Sequence, residues 1–84
     1  MAVDKVLVRN ILDLLGALGD WGREIDALAT EVGIRMDDRH MTVQRAEAAL
    51  QFAKSKGWVA ARDDEWGTPR WYITDAGSNR QAMM

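Results

Sequence analysis

The chain has 84 residues, of which 48% are hydrophobic and 29% charged, with a single proline. It is predicted to form one domain over 1–84, too short for two cores and too apolar for a disordered tail. It has no cysteine, which excludes disulfides, thiolate metal sites and thiol nucleophiles and makes a reducing cytoplasm the simplest location. The longest apolar stretch, Val6 to Leu18, is broken by Arg9, Asn10 and Asp13. It falls short of the ~20 residues of a membrane helix, and the N-terminus does not resemble a secretory signal, so no membrane partner is expected.

The formal net charge of −2 argues against coating nucleic acid by bulk electrostatics. The charge is uneven, however. Between Arg35 and Arg62, the cations Arg35, Arg39, Arg45, Lys54, Lys56 and Arg62 outweigh Asp37, Asp38 and Glu47 by three. An anionic partner is therefore predicted to dock on this middle third.

Val3, Leu7, Ile11, Leu14 and Leu18 recur at helical spacing and predict a first helix over 3–18. A second set, Val8, Leu12 and Leu15, widens its apolar arc beyond what one small core usually buries. Either the C-terminal helix covers this strip or a homodimer seam does. Gly16, Gly19 and Gly22 then mark a turn, and Trp21 between them is placed to cover the core's edge. Ile25, Leu28, Ala29 and Val32 form one face of a short second helix, with Gly33 predicted as its left-handed cap.

After a polar link, Thr42 is predicted to cap a third helix over 42–56, with Asp37 or Asp38 as alternative caps one turn earlier. Val43, Ala46, Leu50 and Ala53 make its core stripe, and Gly57 ends it. Trp58 to Arg62 and Arg70 to Thr74 read as the strands of a hairpin around an acidic loop. Alternation places Trp58 and Ala60 on the buried face of one strand and Trp71 and Ile73 on that of the other. Thr74 or Asp75 is predicted to cap a weak last helix from Ala76 toward Met83.

The expected class is thus α+β and mostly helical. Leu28-Ala29 and Gly33-Ile34, ahead of Thr42-Val43-Gln44-Arg45 and Leu50, resemble the helix-turn-helix of bacterial winged-helix regulators. Gly57-Trp58-Val59 looks like the step by which those proteins leave the recognition helix. Ile73-Thr74-Asp75-Ala76-Gly77 is similar to the Leu-Thr-x-x-Gly segment that closes the wing in regulators of the multiple-antibiotic-resistance type. The resemblance implies a winged helix and a small bacterial or phage transcriptional regulator that binds double-stranded DNA, commonly as a dimer. Two features differ from that pattern: the link from Gly33 to Thr42 is long, and the wing tip is acidic.

Gln44, Ala48, Gln51 and Ser55, flanked by Arg45 and Lys54, lie opposite the core stripe of the third helix. Their side chains suit the reading of base edges in a major groove. Arg35, Arg39, His40 and Thr42 precede or open that helix, where phosphates would lie. Arg62 and Arg70 either grip phosphate from the wing or neutralise Asp63, Asp64 and Glu65. Trp66 has no core position, and with Val8, Leu12 and Leu15 it offers a protein-binding surface. That is the alternative reading, a winged-helix interaction module without direct DNA binding. The lone His40 and the lack of phosphate-loop or metal-ligand spacing argue against an enzyme, and no cofactor is expected.

Overall fold

The computed structural model describes residues 3–83; residues 1, 2 and 84 of the expected 1–84 domain lie outside the described residues. The first helix, α1 (Lys5–Leu18), starts two residues later than expected because Asp4 caps it. The Asp4 carboxylate accepts the Leu7 N–H at 3.0 Å, which leaves Val3 ahead of the helix. A single 3-10 turn, Gly19–Trp21, follows. Arg23 then exchanges two backbone hydrogen bonds with Trp71, at 3.0 and 2.8 Å, and so adds one residue of strand to the sheet. Gly22 is required here: its φ is 63°, and a Cβ would stand 2.7 Å from the Tyr72 ring.

The second helix, α2 (Ile25–Arg35), runs past the predicted stop. Gly33 is not a cap but a buried helical residue, where a Cβ would come within 3.0 Å of Met41. The left-handed position falls instead on Asp37, at φ 51°. The link to the next helix is correspondingly shorter than the sequence implies. Thr42 caps α3 (Val43–Ser55) by accepting the Arg45 N–H at 3.1 Å, as the spacing predicts. The buried stripe of α3 is Ala46, Ala49, Leu50 and Ala53, whereas Val43, assigned to the core from the sequence, is exposed.

Strands β1 (Val59–Asp63) and β2 (Pro69–Ile73) pair antiparallel, with Val59 opposite Ile73 and Ala61 opposite Trp71. Trp71 and Val59 therefore face the core together, and the expected phase of the first strand is off by one residue. Trp58 stands before the strand, its N–H bonded to the Ala53 carbonyl at 2.9 Å, so its side chain packs on Phe52 rather than in the sheet face.

Helix α4 (Asp75–Met83) closes the chain. Thr74 caps it by accepting the Gly77 N–H at 3.1 Å, and its hydroxyl donates to the Gly57 carbonyl. A Cβ on Gly77 would collide with the Trp58 carbonyl, so glycine is what lets α4 approach the root of the hairpin.

The core joins Leu7, Ile11, Leu12 and Leu15 of α1 to Leu28 and Val32 of α2, with Leu50 and Ala53 of α3 and Val59 and Trp71 of the hairpin closing it. This corrects the reading of Val8, Leu12 and Leu15 as a protein interface. All three are at most 2% exposed within the single chain, because α4 and the other helices cover the wide apolar arc of α1. Trp21, expected at the core's edge, is instead 78% exposed. No helix among the described residues is long and apolar enough to cross a membrane.

Replacing Gly77 by alanine is expected to cost about 1–3 kcal/mol through overpacking. Urea unfolding should show a lowered midpoint with little change in slope. An unchanged midpoint would contradict the close approach of α4 to Trp58.

Candidate nucleic-acid interface

Helical geometry sets the exposed face of α3. Once Ala46, Ala49, Leu50 and Ala53 are buried, Gln44, Glu47, Ala48, Gln51 and Ser55 point outward, with Lys54 beside them. The neutral residues expected on this face are there. Glu47 joins them, three residues after Gln44 and four before Gln51, a position that the same helical spacing signals. The Ser55 hydroxyl donates to the Phe52 carbonyl of its own helix at 2.6 Å, so only its oxygen is left for a partner.

Ion pairs sort the expected cations into two groups. Arg45 does not stand on the outward face: its guanidinium meets Asp38 at 2.9 Å and Asp4 at 3.6 Å and donates to the His40 carbonyl at 3.2 Å. It ties the 36–42 link to the starts of α1 and α3. Arg35 lies 3.9 Å from Asp13 of α1 and is drawn away from α3. Arg70 pairs with Asp64 at 3.4 Å and Glu24 at 3.9 Å and donates to the Trp21 carbonyl at 3.2 Å. Of the two roles open to Arg70, neutralising wing acids is the one this geometry holds. Arg62 stacks over the Tyr72 ring, 4.2 Å from its centroid, and makes no ion pair among the described residues.

Arg39, His40 and Lys54 are exposed and likewise unpaired among the described residues, beside the N-terminal and outward parts of α3. The hydroxyl oxygen of Thr42 is engaged as the cap. Gln44, Ala48, Gln51, Lys54 and Ser55 thus lie on the exposed side of α3, Arg39 and His40 are exposed in the link that precedes it, and Arg35, Arg45 and Arg70 are held in ion pairs.

The link before α3 is held by its own chemistry. The Asp38 carboxylate accepts the His40 N–H at 2.9 Å and faces Arg45. The backbone bond first, then the guanidinium, holds this carboxyl below its ordinary pKa. The wing tip repeats the device. Asp64 accepts the N–H groups of Trp66 at 2.8 Å and Thr68 at 3.0 Å, and the Thr68 bond above all lowers its pKa. Asp63 and Glu65 remain exposed beside Trp66, which is 83% exposed as its loop position implied.

This arrangement matches solved structures of low sequence identity. A transcriptional regulator of the MarR family from Silicibacter pomeroyi superposes with a TM-score of 0.77 over 94% of this chain, at 20% identity. The match takes in 48% of the regulator, so this chain spans about half its length. F-93 of SSV1 superposes with a TM-score of 0.73 over 92% of this chain and 79% of its own, at 21% identity. The fold is a winged helix. No protein-family model and no curated protein matches the chain in sequence. Within the winged helix, α2 and α3 form the helix-turn-helix, β1 and β2 the wing, and Arg23 the short extra strand.

Because the folded pKa of Asp38 is depressed, its contribution to stability is present above the unfolded value and fades as the pH falls through the folded one. Asp38→Asn should therefore lower the thermal midpoint at neutral pH and flatten its decline below about pH 4. Parallel wild-type and variant curves across that range would remove Asp38 as the anchor of the link.

Proposed function

We propose that this winged helix is a small sequence-specific DNA-binding protein, and that it serves as a transcriptional regulator by placing α3 in the major groove. The observation that carries this reading is the outward face of α3. It presents amide, methyl and hydroxyl groups able to meet base edges, while Lys54 on its flank and Arg39 and His40 in the link before it stand in no ion pair among the described residues. Likeness in fold to a MarR-family regulator supports it.

The charge arithmetic makes the interface modest. Asp63 and Glu65 repel phosphate, so the tip of the wing stands off the duplex, and Arg62 on the strand supplies the wing's one cation not held in an ion pair among the described residues. With Arg39, Lys54 and Arg62 as the principal phosphate contacts, log K should fall with log salt at a slope of about −3. Specificity then rests on Gln44 and Gln51, each of which is able to bond an adenine edge in bidentate fashion. Glu47 between them accepts hydrogen bonds only, which suits a cytosine amino group and disfavours acceptor-rich guanine edges.

The test is a duplex selected from a random pool, titrated with variants at two salt concentrations. Gln44→Ala or Gln51→Ala should cost about 1–3 kcal/mol on the selected duplex and little on random DNA. Arg39→Ala should weaken both and reduce the salt slope by about 1. Equal losses on both duplexes from all three variants would oppose base reading by α3, and no binding at low salt would end the proposal.

A further inference from the structure

Opposite charges and matching shapes occur at two separated places on this surface. The first is a groove of about 400 Å³ between the start of α1, the end of α3 and α4. Its apolar wall includes Val6, Phe52 and Trp58, and its rim carries Lys5, Arg9 and Arg80. Among the described residues no carboxylate lines it. Phe52 and Trp58 meet edge to face at 5.9 Å, and the Arg80 guanidinium lies 5.3 Å from the Trp58 ring centroid, so the wall is aromatic and cation-capped. Val6 is 60% exposed, an unusual cost for a branched apolar side chain on a helix that buries five others.

The second place is the wing tip. Asp63, Glu65 and Trp66 are exposed there; of the two cations on the adjoining strands, Arg70 is taken by Asp64 and Glu24, and Arg62 lies over the Tyr72 ring. The tip is also preorganised. Two N–H bonds to the Asp64 carboxylate and the Gly67 N–H bond to its carbonyl, at 3.0 Å, fix the loop that presents the indole. Little conformational freedom remains to be lost on docking.

We propose that the wing tip of one copy docks in the α1–α3–α4 groove of a second copy, with the Trp66 indole against Phe52 and Trp58 and with Asp63 and Glu65 facing Lys5, Arg9 and Arg80. The groove's volume lies in the range of pockets that enclose a small molecule and admits an indole. The tip does not reach its own groove. Five paired positions from Val59 to Asp63 hold it more than about 13 Å from the hairpin root, where Trp58 stands. The contact is therefore heterologous, one tip to one groove, and each bound copy still offers a free tip or groove to another unless two copies close reciprocally. It uses neither the outward face of α3 nor Arg39 or Lys54, so it does not require DNA. A patch this small makes a weak contact that adds cooperativity rather than a permanent dimer.

The experiment is sedimentation velocity at low salt on the whole chain, without DNA, comparing wild type, Trp66→Ala, and the double variant Lys5→Glu with Arg9→Glu. All three altered residues are exposed, and circular dichroism should report an unchanged fold. Wild type is expected to associate with rising concentration and to dissociate with salt. Each variant alone should associate more than about tenfold more weakly. An equimolar mixture of the two should regain a two-chain species that grows no further, because one variant keeps its groove and the other its tip. Wild type that stays monomeric to millimolar concentration, a Trp66→Ala chain that assembles like wild type, or a mixture that fails to regain association would each overturn the proposal. None of these outcomes bears on whether α3 binds DNA.

Discussion

The tie between Gly57-Trp58 and Thr74-Gly77 holds the molecule in its working shape. At that point α3 ends, the wing begins, and α4 starts. The Trp58 N–H closes the end of α3, the Trp58 carbonyl accepts the Thr74 N–H at 2.9 Å, and the Thr74 hydroxyl bonds both the Gly57 carbonyl and the Gly77 N–H. Backbone groups that would otherwise be orphaned at two helix ends and a strand end are satisfied by a handful of neighbouring residues. The short Thr-x-x-Gly segment thus has a physical reason: threonine caps a helix while gripping the preceding one, and glycine removes the Cβ that would hold α4 away. Through this tie, the angle of the wing and the axis of α3 are set together.

A second constraint is electrostatic. The chain is acidic overall, and the cations near α3 are divided between internal and external tasks. Arg45 and Arg35 spend their charge on Asp38, Asp4 and Asp13, which brings the link and α1 to the flank of α3. Exposed pairs of this kind add little stability individually. Their consequence is positional: they leave the outward face of α3 polar and nearly uncharged, with cations only along its border. The same division operates on the wing, where Arg70 is consumed internally and the tip keeps its negative charge.

Local chemistry was the legible part of the sequence. The Thr42 cap, the exit at Gly57 and the Thr74 cap each depend on residues within four positions of one another and occur where the spacing implies, and the two strands form there too, each displaced by one residue. Features set by distant partners were not legible. Gly33 looked like a helix stop, but Met41 packing against it makes a small residue necessary inside the helix. The phase of β1 depends on how Trp58 leaves α3, not on alternation within the strand. Val8, Leu12 and Leu15 looked superfluous to one core because the covering surface comes from elements up to the far end of the chain. The pairing of Arg45 with Asp4 likewise has no local signal, whereas Glu47 on the α3 face did, at plain helical spacing.

The proposal that α3 reads DNA is tested by an amide nuclear magnetic resonance titration of the isotope-labelled chain with a short duplex. Shifts are expected to concentrate at Arg39 to Ser55 and Arg62, while the wing tip from Asp63 to Trp66 and the start of α1 move little at low occupancy. Shifts centred on the wing tip or on the groove beside Trp58, with α3 unaffected, would contradict the proposal.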